Sequence, residues 1–367
     1  MEEFEWGVRV VSGPGAVGAL AELEARRLFL VTDPFFYENG KAKEVADRAG
    51  ASAVEIFHQV APDPTVDLVA AGTAKLKAFG PDAVVALGGG SAMDCAKAMV
   101  YFSGTDAKLV AIPTTSGSGS EMTDFAILTS DGVKHPLIDR RLRPHTAILD
   151  SDLLTELPPK LVAETGFDLI AHAVEAIAGK KAGLLSDTLA KEAFRLAFTL
   201  LSASFAGRQT GRLQIHQAAS MAGAAFSQAG LAFTQAGLGL CHAMAHSLGG
   251  VFHVPHGRLN AILLPAVMGV NEPYAGEKYA ELAQYAGVGA AARTVALRNL
   301  KNGLLRLRRE LKLPQTLAQA GVDLHQLRQR EKEIVAAALA DPCCATNPAP
   351  VTESIVRQVL GAVTGRG

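Results

Sequence analysis

Short apolar runs alternate with stretches of helical spacing over the first 150 residues. Residues 8–11, 28–31, 52–56, 83–87 and 109–112 are β-type runs, mostly apolar and rich in Val, Ile and Leu, and predict strands. Between them, residues 16–25, 41–49, 65–79 and 92–100 predict helices, with Gly and Pro at the junctions. Strands alternating with helices predict a parallel sheet covered on both faces. After Leu157-Pro158-Pro159 the strand-like runs cease. Helices are predicted over 160–178, 186–204, 214–229, 241–248, 277–285, 291–311, 324–340 and 352–363. The reading is an α/β domain over residues 1–157, followed by an all-helical domain over 158–367.

The pattern breaks in one place. From Leu213 to Gly257 there is no Asp, Glu, Lys or Arg, yet this stretch holds His216, His242, His246, His253 and His256, half of the chain's ten histidines. Polar residues recur through it, and it lacks the 18-residue apolar run that a membrane span requires. It is expected to lie buried, with its histidines needing partners or a metal. Within it, Ala225-Phe226-Ser227-Gln228-Ala229-Gly230-Leu231 is followed at once by Ala232-Phe233-Thr234-Gln235-Ala236-Gly237-Leu238. Seven residues are nearly two helical turns, so such an insertion in a helix rotates the downstream chain by only about 20°. A neutral insertion and a change to a pocket both remain open.

Composition narrows the class. Of 367 residues 49% are hydrophobic, enough for a core, and the net charge is −1, which does not favour nucleic acid or an anionic membrane. Cys95, Cys241, Cys343 and Cys344 form no CxxC pair or disulfide framework, which suggests a reduced, cytoplasmic setting. The acidic start Met1-Glu2-Glu3 does not resemble a signal peptide.

Three segments carry candidate chemistry. Leu87-Gly88-Gly89-Gly90-Ser91 joins a predicted strand to a helix, where free backbone N–H groups and the helix dipole favour a phosphate. A rival, Gly13-Pro14-Gly15-Ala16-Val17-Gly18, fits the G-x-G-x-x-G pattern, but Pro14 removes a donor; it is read as a turn into the first helix. Asp33 ends the strand before it and suits a ribose 2′-hydroxyl, favouring NAD over NADP. The loop Pro113-Thr114-Thr115-Ser116-Gly117-Ser118-Gly119-Ser120-Glu121 offers a second wall of hydroxyls. Asp168-x-x-x-His172 and His242-x-x-x-His246 each put two donors on one helix face, and His253-x-x-His256 comes shortly after. Nitrogen and oxygen donors without thiolate suit Fe²⁺ or Zn²⁺.

With these motifs in this order, the chain resembles the iron-dependent (group III) alcohol dehydrogenases over nearly its whole length. Gly88-Gly89-Gly90-Ser91-x-x-Asp94, Gly166-Phe167-Asp168-x-x-x-His172-Ala173-x-Glu175, the 239–249 segment, Pro255-His256-Gly257 and residues 341–348 carry the likeness. Within that family it looks most like the microcompartment-associated propanol and ethanol dehydrogenases. The resemblance implies a dehydroquinate-synthase-like fold: an NAD-binding α/β domain and an α-helical metal domain, with the active site in the cleft between them. It implies metal ligands at Asp168, His172, His242 and His256, and a proton-relaying His246. Cofactor contacts carry over to Asp33, Gly89, Gly90, Ser91, Asp94, Thr114, Thr115, Ser118, Thr123 and Lys134. Phe233 and Cys343 fall at the substrate pocket, with Phe226 as the displaced copy of Phe233. His216 and His253 match no ligand position and are read as structural.

The expected activity is NAD(H)-linked interconversion of a short primary alcohol and its aldehyde, with Fe²⁺ or Zn²⁺ as the metal. The expected setting is a homodimer or larger homo-oligomer in the cytoplasm or a bacterial microcompartment, without nucleic acid or membrane. Two rivals stand beside it. One is a glycerol-dehydrogenase-like polyol oxidoreductase, against which the four-ligand Asp/His pattern speaks. The other is a metal-binding microcompartment assembly component, against which the intact cofactor loops speak.

Overall fold

The computed structural model describes residues 7–130, 133–227 and 238–365. The chain divides between Leu157 and Pro158 into two units. The first contains β1 (Arg9–Ser12), β2 (Arg27–Val31), β3 (Ala53–Phe57), β4 (Ala83–Gly88), β5 (Lys108–Pro113), β6 (Phe125–Ser130), β7 (Val133–Ile138) and β8 (Thr146–Leu149). Its α-helices are α1 (Pro34–Glu38), α2 (Lys41–Asp47), α3 (Val66–Phe79) and α4 (Gly90–Ser103).

Six strands form a parallel sheet in the order β1-β8-β5-β4-β2-β3. Successive side chains of a strand face opposite ways, so the continuous apolar runs fill two cores. Phe29, Val31, Val84 and Ala86 pack with Met93 and Met99 on one face. Leu28, Leu30, Val85 and Leu87 pack with Val45 and Ile112 on the other. From β2 the chain steps outward to β3, then returns to the far side of β2 with β4. The sheet therefore has its switch point between β2 and β4, where ligands of open α/β sheets bind.

Three strands were not expected from the apolar pattern. β6 and β7 form an antiparallel ribbon in which Ile127 faces Pro136. Pro136 is tolerated because β7 pairs with β6 alone among the described strands. β8 is four residues long, too short for a periodic signal. Residues 16–25, expected as a helix, fold as a 3-10 helix over Ala16–Leu23. The rival glycine motif at its start is satisfied within the chain. Gly15 N–H donates to Asp150 Oδ1 (3.1 Å) and Asp152 Oδ2 (3.0 Å), and Val17 N–H donates to Asp150 Oδ2 (2.9 Å). Carboxylates of the chain occupy the place a phosphate would need.

The second unit contains α5 (Pro159–Ala178), α6 (Leu184–Phe205), α7 (Gln209–Ser227), α8 (Leu240–Phe252), α9 (His256–Tyr285), α10 (Arg293–Glu310), α11 (Leu324–Gln329), α12 (Glu331–Ala340) and α13 (Glu353–Val363). It has no strand among the described residues. α5 is buried all round from Gly166 to Ala178, which marks it as the central helix. α9 runs 30 residues, although Pro265 and Pro273 interrupt its sequence. A proline at 265 leaves the carbonyl of Ala261 without its helical donor. Buried Arg308 on α10 supplies the replacement, donating from Nη1 to Ala261 O (2.9 Å) and Ile262 O (3.3 Å). Two helices, α11 and α12, stand where one was expected over 324–340. Among the described residues no helix is long and apolar enough to cross a membrane.

Candidate functional site

The histidine-rich stretch and the central helix meet in one cage. Asp168 and His172 lie one turn apart on α5, and His242 lies in the first turn of α8. Single donor atoms of these three buried residues fall within 4.8 Å of one another. His256 begins α9 and brings Nε2 to 3.5 Å from Asp168 Oδ1. The His172 ring is stacked between Phe226 (centroids 4.6 Å apart) and His242 (4.5 Å). Phe226 thus walls the cage. Phe233, the expected pocket residue, and most of the duplicated heptad lie outside the described residues.

Backbone constraints fix where these donors stand. A Cβ on Gly257 would lie 2.1 Å from Glu164 O, so only glycine lets the start of α9 sit this close to α5. Beside it Arg258 Nε donates to Glu164 Oε1 (2.9 Å) across the same junction. A Cβ on Gly239 would lie 2.8 Å from Asn347 Oδ1 and 3.0 Å from Glu175 Oε1. That space is needed because Glu175 receives three donors: Gly239 N–H, Cys241 N–H and His242 Nδ1, each at 2.7 Å. One buried carboxylate therefore caps the start of α8 and sets the tautomer of His242. With the proton on Nδ1, Nε2 is left as a lone-pair donor.

Asn260, one turn after His256, closes the cage. Its Nδ2 lies 2.7 Å from Asp168 Oδ1, 3.2 Å from His242 Nε2 and 3.1 Å from His256 Nε2. Burial alone would raise the Asp168 carboxyl, but the charges of His172, His256 and His242 hold it well below the usual carboxylate range. Burial alone would lower the His242 imidazole, but Asp168 and Glu175 outweigh it and lift it to about 9. Buried donors that attract positive charge this strongly fit a divalent cation. Nitrogen and oxygen donors make Fe²⁺ and Zn²⁺ the chemical matches.

His246 stands one turn beyond His242. Its Nδ1 lies 2.8 Å from Asp341 Oδ2, and its ring stacks on His256 with centroids 5.1 Å apart. Asp341 caps the 3-10 turn Pro342–Thr346 by accepting from Cys343 N–H (2.8 Å). His253 ends α8 in the left-handed region (φ 53°) and is exposed, while His216 is buried on α7.

The other candidate residues gather in the first unit, at the carboxyl ends of β2, β4 and β5. Asp33 caps α1, its Oδ1 accepting from Phe36 N–H (3.2 Å), and Oδ2 lies 3.7 Å from where a Gly88 Cβ would stand. Gly88 itself has φ +151°, and its Cβ would meet Ala92 at 2.6 Å, so strand and helix join closely only through glycine. Gly89 caps α4 without a side-chain bond, leaving the first N–H groups of the helix open to an anion. Cβ positions at Gly89 and Gly90 would lie 3.4 Å from Thr115 Oγ1 and 3.2 Å from Ser118 Oγ. The hydroxyl loop thus faces the glycine turn.

Burial divides this set. Asp33, Gly89, Gly90, Ser91, Thr115 and Ser118 are half-exposed. Asp94, Thr114 and Thr123 are buried. Asp94 accepts from Ser120 Oγ (2.7 Å) and Ile127 N–H (3.1 Å), while burial raises its carboxyl. Lys97 Nζ reaches Ser120 Oγ (3.0 Å), Thr123 O (3.0 Å), Thr123 Oγ1 (2.9 Å) and Phe125 O (2.9 Å). Asp94 and Thr123 thus hold the loop from behind. Lys134 pairs with Asp63 at 2.6 Å, a non-glycine residue at φ 56°.

Glu175, Asn260, Asp341 and Lys97 were not assigned roles from sequence. Glu175 and Asn260 had a usable signal: each shares a helical face with an assigned ligand, at i+3 from His172 and i+4 from His256. Asp341 is 95 residues from His246, and no local pattern links them.

Comparison with known proteins gives the same division of the chain. Residues 7–151 match the iron-containing alcohol dehydrogenase family model, and 162–364 match the model of that family's C-terminal part. The 1-propanol dehydrogenase of Citrobacter freundii is 37% identical, over 98% of this chain and 99% of its own. The NADPH-dependent butanol dehydrogenase of Clostridium saccharobutylicum is 33% identical over 84% of each. Among solved structures, the iron-containing alcohol dehydrogenase of Thermococcus thioreducens superposes with TM-score 0.90 at 30% identity, covering 99% of this chain and all of its own.

Proposed function

The chain belongs to the iron-containing alcohol dehydrogenase family and is an enzyme of that type; on that premise we propose that it interconverts a short primary alcohol and its aldehyde with NAD(H), chiefly reducing the aldehyde to 1-propanol or ethanol. The observation that carries this reading is the convergence of Asp168, His172 and His242, with His256 beside them, in a cage of oxygen and nitrogen donors. Those four residues hold the metal. Bound there, Fe²⁺ or Zn²⁺ supplies Lewis acidity that eases ionisation of an alcohol or polarises an aldehyde, while NAD(H) carries the hydride.

The chain's own residues do the rest. Glu175 keeps His242 in the ligating tautomer, and Asn260 holds Asp168 Oδ1. Asp341 holds the proton on His246 Nδ1, so Nε2 is a proton acceptor beside the cage. Phe226, stacked on His172, narrows the space beside the cage and favours a short chain. The glycine turn and Ser91, Thr115 and Ser118 take the pyrophosphate. Asp33 takes the adenosine ribose and Lys134 the nicotinamide ribose. A carboxylate at 33 repels a 2′-phosphate, which favours NAD over NADP. Assembly as a homodimer or larger, in the cytoplasm or a microcompartment, belongs to the same proposal and is checked by light scattering and cell fractionation.

The test pairs elemental analysis of anaerobically purified protein with NADH oxidation on acetaldehyde, propanal and butanal. One iron or zinc per chain and turnover with the short aldehydes are expected. No turnover with any of the three, with Fe²⁺ supplied, overturns the reading.

A further inference from the structure

Beside the cage lies a second group of donors that the proposed chemistry leaves partly unused. His246, Asp341 and Cys343 are all partly buried, and one donor atom of each lies within 4.8 Å of the others. The arrangement is built. Asp341 Oδ1 accepts from Cys343 N–H (2.8 Å), which fixes the carboxylate against the backbone of the turn that carries the thiol. Asp341 Oδ2 meets His246 Nδ1 at 2.8 Å. The set shares no residue with Asp168, His172, His242 and His256.

We propose that His246, Asp341 and Cys343 form a second divalent-metal site, suited to a borderline-soft ion such as zinc. One thiolate, one imidazole and one carboxylate match zinc's preferences, with water as the fourth ligand. A tetrahedral ion holds such donors about 3.3–3.8 Å apart, so His246 Nδ1 and Asp341 Oδ2, 2.8 Å apart, move outward as the ion enters between them. The charges balance, because thiolate and carboxylate together neutralise the ion. Burial and the charge of Asp341 push the Cys343 thiol well above its ordinary pKa, so the thiol is protonated until an ion arrives.

Binding then moves protons in a defined way. The Cys343 thiol releases one proton to solvent as the sulfur–metal bond forms. The imidazole stays neutral. Its proton leaves Nδ1, which now binds the ion, and Nε2 takes one up. Nε2 thereby turns from proton acceptor to donor, and His246 loses the role proposed above. Excess zinc is therefore a brake on turnover. This consequence rests on the reading of His246, whereas the site itself does not.

The experiment titrates Co²⁺ into the full-length protein already carrying one zinc per chain. A cobalt–thiolate bond gives an intense near-ultraviolet charge-transfer band, which the sulfur-free cage cannot produce. The band is expected with the second metal equivalent. Cys343→Ser removes it and weakens the second equivalent at least about tenfold, while Cys344→Ser keeps it. Asp341→Asn, which preserves shape, also weakens it. A wild-type titration without the band, or a band that survives Cys343→Ser, overturns the site. Turnover is then compared with and without excess zinc in each protein. A band without zinc inhibition keeps the site and removes the role given to His246.

Discussion

The metal cage and the glycine turn each suit a charged group, and they are built from opposite parts of the chain. The cage uses side chains on three helices, buried in a stretch almost without charge, with Glu175 and Asn260 behind them. The turn uses backbone N–H groups, and its side chains matter chiefly by being absent at Gly88, Gly89 and Gly90. A substitution in the cage deletes a donor. One in the turn adds bulk or alters charge at its rim. On the proposed function, the first kind is expected to abolish chemistry and the second to retune which cofactor is used.

The largest expected effect comes from deleting a ligand. His256→Ala is expected to lose the metal and lower turnover at least about 10³-fold, with an unchanged circular dichroism spectrum. Full metal content and rate in that variant would place the centre elsewhere. Glu175→Ala comes next, because it strips the shared acceptor from Gly239 N–H, Cys241 N–H and His242 Nδ1. A cost of about 3–5 kcal/mol in urea unfolding is expected, with metal affinity down about 10–100-fold. A loss of stability with metal affinity untouched would make Glu175 a cap and nothing more.

On the other side of the comparison, Asp33→Ser is expected to leave the metal alone. It narrows the preference for NAD over NADP by at least about tenfold, about 1.4 kcal/mol, read as the ratio of kcat/KM values. An unchanged ratio would remove Asp33 from the ribose.

A further effect, on stability alone, is a pH dependence behind the hydroxyl loop. Burial lowers the Lys97 ammonium to about 8, against the pull of Asp94, Glu121 and Asp124. Between about pH 8 and the unfolded value near 10.4, the unfolded chain binds more protons than the folded one, so this group makes stability rise with pH. Urea midpoints for wild type and Lys97→Met across that window separate the term. A wild-type slope no steeper than the variant's would refute it.

How much was readable beforehand differs between the two regions in the same way. The candidate metal donors were legible because i, i+4 spacing puts Asp168 with His172 on one face, and an apolar setting makes each histidine conspicuous. Five of the six parallel strands were legible because buried strands read as apolar runs, whereas β8, four residues long, was too short to show one. The ribbon β6–β7 was not, since Pro136 and the polar positions of β7 give no such run. The full length of α9 was hidden by Pro265, whose orphaned carbonyl is satisfied from α10, 47 residues away. The rival glycine motif at 13–18 was discounted for Pro14, but the larger reason is spatial: Asp150 and Asp152 hold its N–H groups.

Sequence by itself determined the alternation of strands and helices in the first part of the chain, the run of helices in the second and the types of donor available for a metal. These are local properties, set by periodicity, capping and composition. Tertiary structure alone decided which donors meet. It brought Asp341 to His246 across 95 residues and Glu175 to His242 across 67. It also set Asp94 and Lys97 behind the loop rather than on its face. The physical reason is that a buried polar group must find a partner in space, and the chain separation of that partner carries no energetic signature in the sequence.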